Sequence, residues 1–87
     1  MDIWHLVGSN VAARRRARGW SQEAFADKCG FSQQYLSGLE KGRRNPTLKT
    51  IAELAKALGV GVVDLLAELP PDDPQVSATR PAKPKTK

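Results

Sequence analysis

The sequence predicts an all-α domain of five short helices followed by a disordered tail, and three observations carry this. Apolar residues recur at helical spacing and nowhere alternate with period two. Glycines and Ser/Thr residues fall where helices should stop and start. After Leu69 the composition shifts to Pro70, Pro71, Pro74, Pro81 and Pro84 with polar residues between them, leaving Val76 as the single large aliphatic side chain. Such a segment buries too little surface to offset its ordering entropy. The expected folded part is therefore 3–69, and the tail 70–87.

The first helix is expected over residues 4–18, with Val7 and Val11 on one face and Gly19 as its stop. Ser21 is a good N-cap for a second helix, Gln22–Cys29, whose inward stripe is Phe25 and Cys29 beside Ala26. Gly30 breaks it. Ser32 caps a third helix, 33–41, with Leu36 and Leu39 apolar and Gly42 at its end. Arg43, Arg44, Asn45 and Pro46 read as a polar loop. Thr47 caps a fourth helix in which Leu48, Ile51, Leu54, Ala55 and Leu58 share a face, and Gly59 ends it. A last helix, 62–69, follows Gly61, with Asp64 favouring the positive end of its dipole.

A chain of 87 residues allows one small core, worth only about 3–5 kcal/mol. Small domains of this kind need a staple, a metal or a partner subunit. Cys29 is the only cysteine and His5 the only histidine, which excludes a disulfide and leaves too few ligands for zinc. A partner subunit is the remaining supplement, and no cofactor is expected. No apolar run approaches a membrane span or a signal peptide. With a lone reduced thiol, this points to a cytoplasmic, nucleoid-associated protein of bacterial or phage-like type. One histidine, no phosphate-cradling glycine loop, no nucleophile elbow and no clustered carboxylates argue against an enzyme.

The net charge is +5. The cations cluster at 14–18, at 41–44 and along the tail from 80 to 87, the electrostatic footprint of a nucleic-acid binder if a fold brings the clusters to one face. The second and third helices supply such a face. Gly30, Phe31 and Ser32 leave room only for a sharp corner, and a left-handed residue there costs a non-glycine about 1–2 kcal/mol. Ala26 provides the small residue that a close crossing needs. With Phe25, Cys29, Phe31, Leu36 and Leu39 turned inward, the third helix presents Gln33, Gln34, Ser37 and Lys41 outward, with Tyr35 and Gly38 nearby. Amides can bond adenine through two hydrogen bonds in the major groove, while hydroxyls and cations hold phosphates.

The run from Gln22 to Gly42 resembles the Cro/repressor, or Xre-type, helix-turn-helix family. The likeness extends upstream through Arg15, Gly19, Trp20 and Ser21. Downstream it includes Asn45-Pro46-Thr47-Leu48 and the stretch from Leu54 to Val60, so that it covers about residues 6–67. The Gln33-Gln34 pair looks like the start of the recognition helix in phage repressors of that family. The resemblance implies a five-helix, lambda-repressor-like fold. It also implies that Gln33, Gln34 and Ser37 face base edges, and that Gln22, Ser32, Tyr35, Lys41, Arg43 and Arg44 contact the DNA backbone. Arg15 and Glu40 match positions that form an ion pair. Two departures stand out. Arg14 replaces an aliphatic residue, and Gly38 stands where some relatives carry a base-reading side chain.

The expected function is sequence-specific transcriptional regulation, as a repressor or autoregulator, with double-stranded DNA as partner and an inverted repeat as operator. Similar small single-domain relatives control restriction–modification systems. The rival reading is an antitoxin or protein-binding adaptor whose tail folds on its partner, although the tail has almost no apolar anchor. No ligand-sensing domain is visible, so no small-molecule effector is expected. A homodimer is, because one recognition helix touches too few base pairs for specific affinity. Val60, Val62, Val63, Leu65, Leu66 and Leu69 are more apolar residues than one face of the last helix can hide. Val63 and Leu66, helped by Leu69, are expected to form a self-complementary patch. The remaining singular residues have plainer expected roles. Cys29 is a small core residue, His5 an exposed helix-start residue, and Trp4 and Trp20 pack at the core edge.

Overall fold

A computed structural model describes residues 2–68. Among them it shows five helices and no strand: α1 Ile3–Ala17, α2 Gln22–Cys29, α3 Gln33–Glu40, α4 Leu48–Leu58 and α5 Val62–Leu66. Four of the five helix starts follow from a side-chain oxygen taking an otherwise unpaired backbone N–H. Asp2 accepts from the Trp4 amide, Ser21 from Ala24, Ser32 from Tyr35 and Thr47 from Thr50. Gly30 closes α2 at φ 79°, where an L side chain would be strained, and the chain turns directly into α3.

The core is one cluster. Val7 and Val11 of α1 meet Phe25 and Ala26 of α2, Leu36 and Leu39 of α3, Ile51, Leu54, Ala55 and Leu58 of α4, and Leu65 of α5. Phe25, Leu36, Leu54 and Leu65 have no exposed surface. Cys29 and Phe31 are only half-buried against this cluster rather than inside it. Trp20 lies at its edge as expected, with its ring 5.7 Å from that of Phe25. Burial pushes the Cys29 thiol up from its usual 9.0 to about 11, with Glu53 adding to the effect. Two pH units leave about a hundredfold less thiolate than in a free cysteine. Alkylation of Cys29 in the folded protein at neutral pH should be slower by about that factor, and reaction at the rate of a free thiol would place Cys29 in the open.

Two features of α1 position the rest, and sequence reasoning noticed neither. At Gly8 a Cβ would run into the Leu39 carbonyl oxygen and lie 2.8 Å from that of Glu40. The missing side chain is what lets α1 cross the end of α3 at backbone distance. Asn10, 3% exposed, reaches α5 instead. Its amide nitrogen donates to the Leu65 and Ala67 carbonyls at 2.9 and 2.6 Å.

The last helix is shorter than the predicted 62–69. It ends at Leu66, and Ala67 has turned to extended backbone at ψ 145°. The Asn10 amide holds the carbonyls at this point, which explains the early stop. Leu69 and the segment 70–87 lie outside the described residues. The anomalous Arg14 keeps only 14% of its side chain exposed and brings one guanidinium nitrogen within 3.9 Å of Asp64 on α5. Its stem and Nε are covered, the Nε without a hydrogen-bond partner, so only the end of the guanidinium reaches toward the partly exposed Asp64 carboxylate.

Candidate nucleic-acid interface

The α2–α3 corner is braced from behind by a buried carboxylate. Glu40, on the last turn of α3, accepts from Arg15 Nε at 2.7 Å and from a terminal nitrogen of Arg15 at 3.2 Å. The other terminal nitrogen donates to the Trp20 carbonyl at 2.7 Å, and Gln22 Nε2 donates to Glu40 at 2.9 Å. Only 10% and 5% of the Arg15 and Glu40 side chains are exposed. The two-pronged pair therefore ties α1 to the end of α3, and the same carboxylate holds the first residue of α2. Gln22, whose expected partner is a phosphate, commits one hydrogen of its amide nitrogen to this internal bond, keeps a second hydrogen on that nitrogen, and lines the cleft in front.

That cleft is an open hollow of about 590 Å³ lined by Gln22, Gln33, Gln34, Ser37, Gly38, Lys41, Arg43 and Arg44. No acidic side chain lines it. Gln33 and Gln34, on the first turn of α3, are exposed, and Ser37 one turn later is half-exposed. Ser32 uses its hydroxyl oxygen to accept the Tyr35 amide at 3.1 Å, which leaves its own O–H free to donate outward.

The loop after α3 folds back onto the helix. The Arg43 amide donates to the Gly38 carbonyl at 2.9 Å. The Arg44 guanidinium lies 5.3 Å from the centroid of the Tyr35 ring, and that ring is propped at 5.3 Å by Phe31. A Cβ at Gly38 would sit 3.0 Å from Arg44 Nε. The glycine that removes a side chain from the outer face of α3 thus makes room for a loop cation across it. The structure brings together every expected base-facing and backbone-facing residue except Ser32 and Tyr35, which flank the cleft without lining it. Sequence reasoning missed the link between Gly38 and Arg44, because it joins a helix position to a loop whose path is not locally encoded.

Elsewhere, Val63 is 76% exposed, whereas Leu66 is half-buried against the core. Among the described residues no cluster of three His, Cys, Asp or Glu side chains could hold a metal ion, and no helix is long and apolar enough to cross a membrane.

Residues 11–65 match the helix-turn-helix family model. The chain is 59% identical over 66 residues to an HTH-type transcriptional regulator of Sinorhizobium fredii, covering 76% of this chain and 86% of that one. Among solved structures, the fold is similar to a hypothetical transcription factor from Neisseria. The TM-score is 0.74 at 37% identity, with 91% of this chain and 85% of that one covered. It is also similar to the restriction-modification controller protein C.AhdI of Aeromonas hydrophila, with TM-score 0.68 at 35% identity, covering 71% of this chain and 94% of that one.

Proposed function

Starting from the fact that this chain belongs to the helix-turn-helix family, we propose that it is a sequence-specific DNA-binding regulator that represses transcription, including that of its own gene. The observation that carries this reading is the cleft on α3: amides, a hydroxyl and three cations, with no acidic side chain among them. The chemistry matches a major groove, whose base edges offer donor–acceptor pairs and whose walls are anionic. Gln33, Gln34 and Ser37 read bases. Gln22, Ser32, Tyr35, Lys41, Arg43 and Arg44 hold the backbone and set the register. The reading unit is the segment 3–69, and it works in the cytoplasm.

Two copies related by a twofold axis bind an inverted repeat. One recognition helix contacts too few base pairs to discriminate a genome of competing sites, and a dimer places two such helices about 34–36 Å apart on one face of the duplex. Val63, Leu66 and Leu69 form the contact between the copies.

Footprinting on DNA upstream of the gene tests the reading and sorts the residues. A protected inverted repeat is expected. Gln33→Ala and Gln34→Ala should each lose about 1–3 kcal/mol of discrimination at particular base pairs while random-DNA affinity stays unchanged. Arg43→Ala or Arg44→Ala should weaken binding to every sequence and reduce the salt slope by about one. Equal losses on operator and random DNA for the glutamine variants would sink this division of roles, and no protected site at all would sink the function.

A further inference from the structure

The helix on which the proposed dimer rests is the least self-sufficient element of the fold. α5 has five residues, so nearly all its carbonyls belong to the set that an α-helix leaves unpaired at its C-terminus. Asp64 ties its start by accepting the Gly61 amide at 2.9 Å. Its end is held from outside. Asn10, near the middle of α1 and 3% exposed, donates both hydrogens of one amide nitrogen, one to the Leu65 carbonyl and one to that of Ala67. These bonds span 55 and 57 residues of sequence. Of the protein side chains only asparagine and glutamine offer two donors on one uncharged nitrogen, and asparagine is the shorter of the two.

We propose that Asn10 is a positioning residue for dimerisation. It is too deeply buried to meet a second copy itself. By gripping the carbonyls of Leu65 and Ala67 it stops the helix after Leu66. It also fixes the rotation that keeps Leu65 wholly inside and Val63 76% exposed. A second copy then meets a preformed patch, and no ordering cost is charged to association. This inference rests on the dimer reading above.

The test uses the full chain carrying Asn10→Leu, which keeps about the same shape but offers no donor to the two carbonyls and adds no charge, and separately Asn10→Ser, which retains one donor. Sedimentation equilibrium measures the dimer constant, and amide exchange followed by NMR measures opening helix by helix. Asn10→Leu should raise the dimer dissociation constant about tenfold or more, as expected for carbonyls left unpaired. Exchange should quicken by a similar factor over 62–66 and stay unchanged in α2 and α3, with Asn10→Ser intermediate. An unchanged dimer constant in a folded variant would overturn the proposal while the dimer itself stood. Uniform acceleration in all five helices, or failure of both variants to fold, would make Asn10 a residue of the whole fold and overturn it equally. A wild type that stays monomeric while α5 alone loosens in the variants would refute the dimer reading and leave the grip of Asn10 on α5 intact.

Discussion

Glu40→Ala should leave this domain largely unfolded at room temperature. The substitution strands the Arg15 guanidinium, which is about 90% covered and would keep only the Trp20 carbonyl as a partner. Removing one member of a buried pair costs about 3–5 kcal/mol, because the remaining charge keeps its desolvation penalty without its compensation. A core of this size supplies about the same total. Three elements lose a tie together, since the carboxylate is shared by α1, α3 and the first residue of α2. The melting temperature should fall by more than about 12 °C, and a fall of only a few degrees would show that the carboxylate contributes little. The double variant Arg15→Met with Glu40→Leu separates the two possible reasons for a loss. If the cost comes from a stranded charge, the apolar pair recovers most of it. If it comes from losing the tie at Gln22 and Trp20, the double variant stays as unstable as the single one.

The parts of this fold that were legible in the sequence are those whose chemistry is local. A Ser or Thr three residues before the amide it caps, and a glycine at the end of an apolar stripe, act within one turn of chain, so the starts of α2, α3 and α4 could be placed to the residue. The α3 face was legible for the same reason: once Leu36 and Leu39 point inward, helical geometry alone sends Gln33, Gln34 and Ser37 outward. The structure added the long-range contacts. Gly8 reads as an ordinary helix glycine, yet a mid-helix glycine costs about 1 kcal/mol against alanine, and that cost was the available sign of a close backbone crossing. Asn10 stands three residues after Val7 and beside Val11. It therefore lies on the inward side of α1, where an unpaired amide would be expensive. That position predicts a buried hydrogen bond but not its partner, which is why the end of α5 was placed too late. The Arg15–Glu40 pair was available only through family resemblance, because nothing within either helix specifies the other.

Val63→Glu should produce a folded monomer. Val63 is the most exposed large aliphatic side chain among the described residues, at 76%, on a helix whose Leu65 has no exposed surface at all. The two therefore answer to different forces: Leu65 holds α5 to its own core, and Val63 contributes nothing to that core. A carboxylate at position 63 should leave the helical signal and the melting curve of the isolated chain almost unchanged. In a twofold contact the substitution appears twice, once on each copy, so two like charges would enter the same contact. Burying an uncompensated charge costs several kcal/mol per ion after relaxation, so the dimer dissociation constant should rise more than about a hundredfold. Affinity for the inverted repeat should fall with it, while affinity for a single half-site should not. Leu66→Glu is a poorer probe, because Leu66 is half-buried against the core and its loss mixes unfolding with dissociation. Val63→Ala supplies the control, removing apolar surface without adding charge and weakening the dimer only modestly. A Val63→Glu protein that sediments as a dimer would move the contact off α5 altogether. A variant that unfolds would show instead that α5 carries more of the core than the exposure of Val63 implies, since a side chain already in water has no packing to lose.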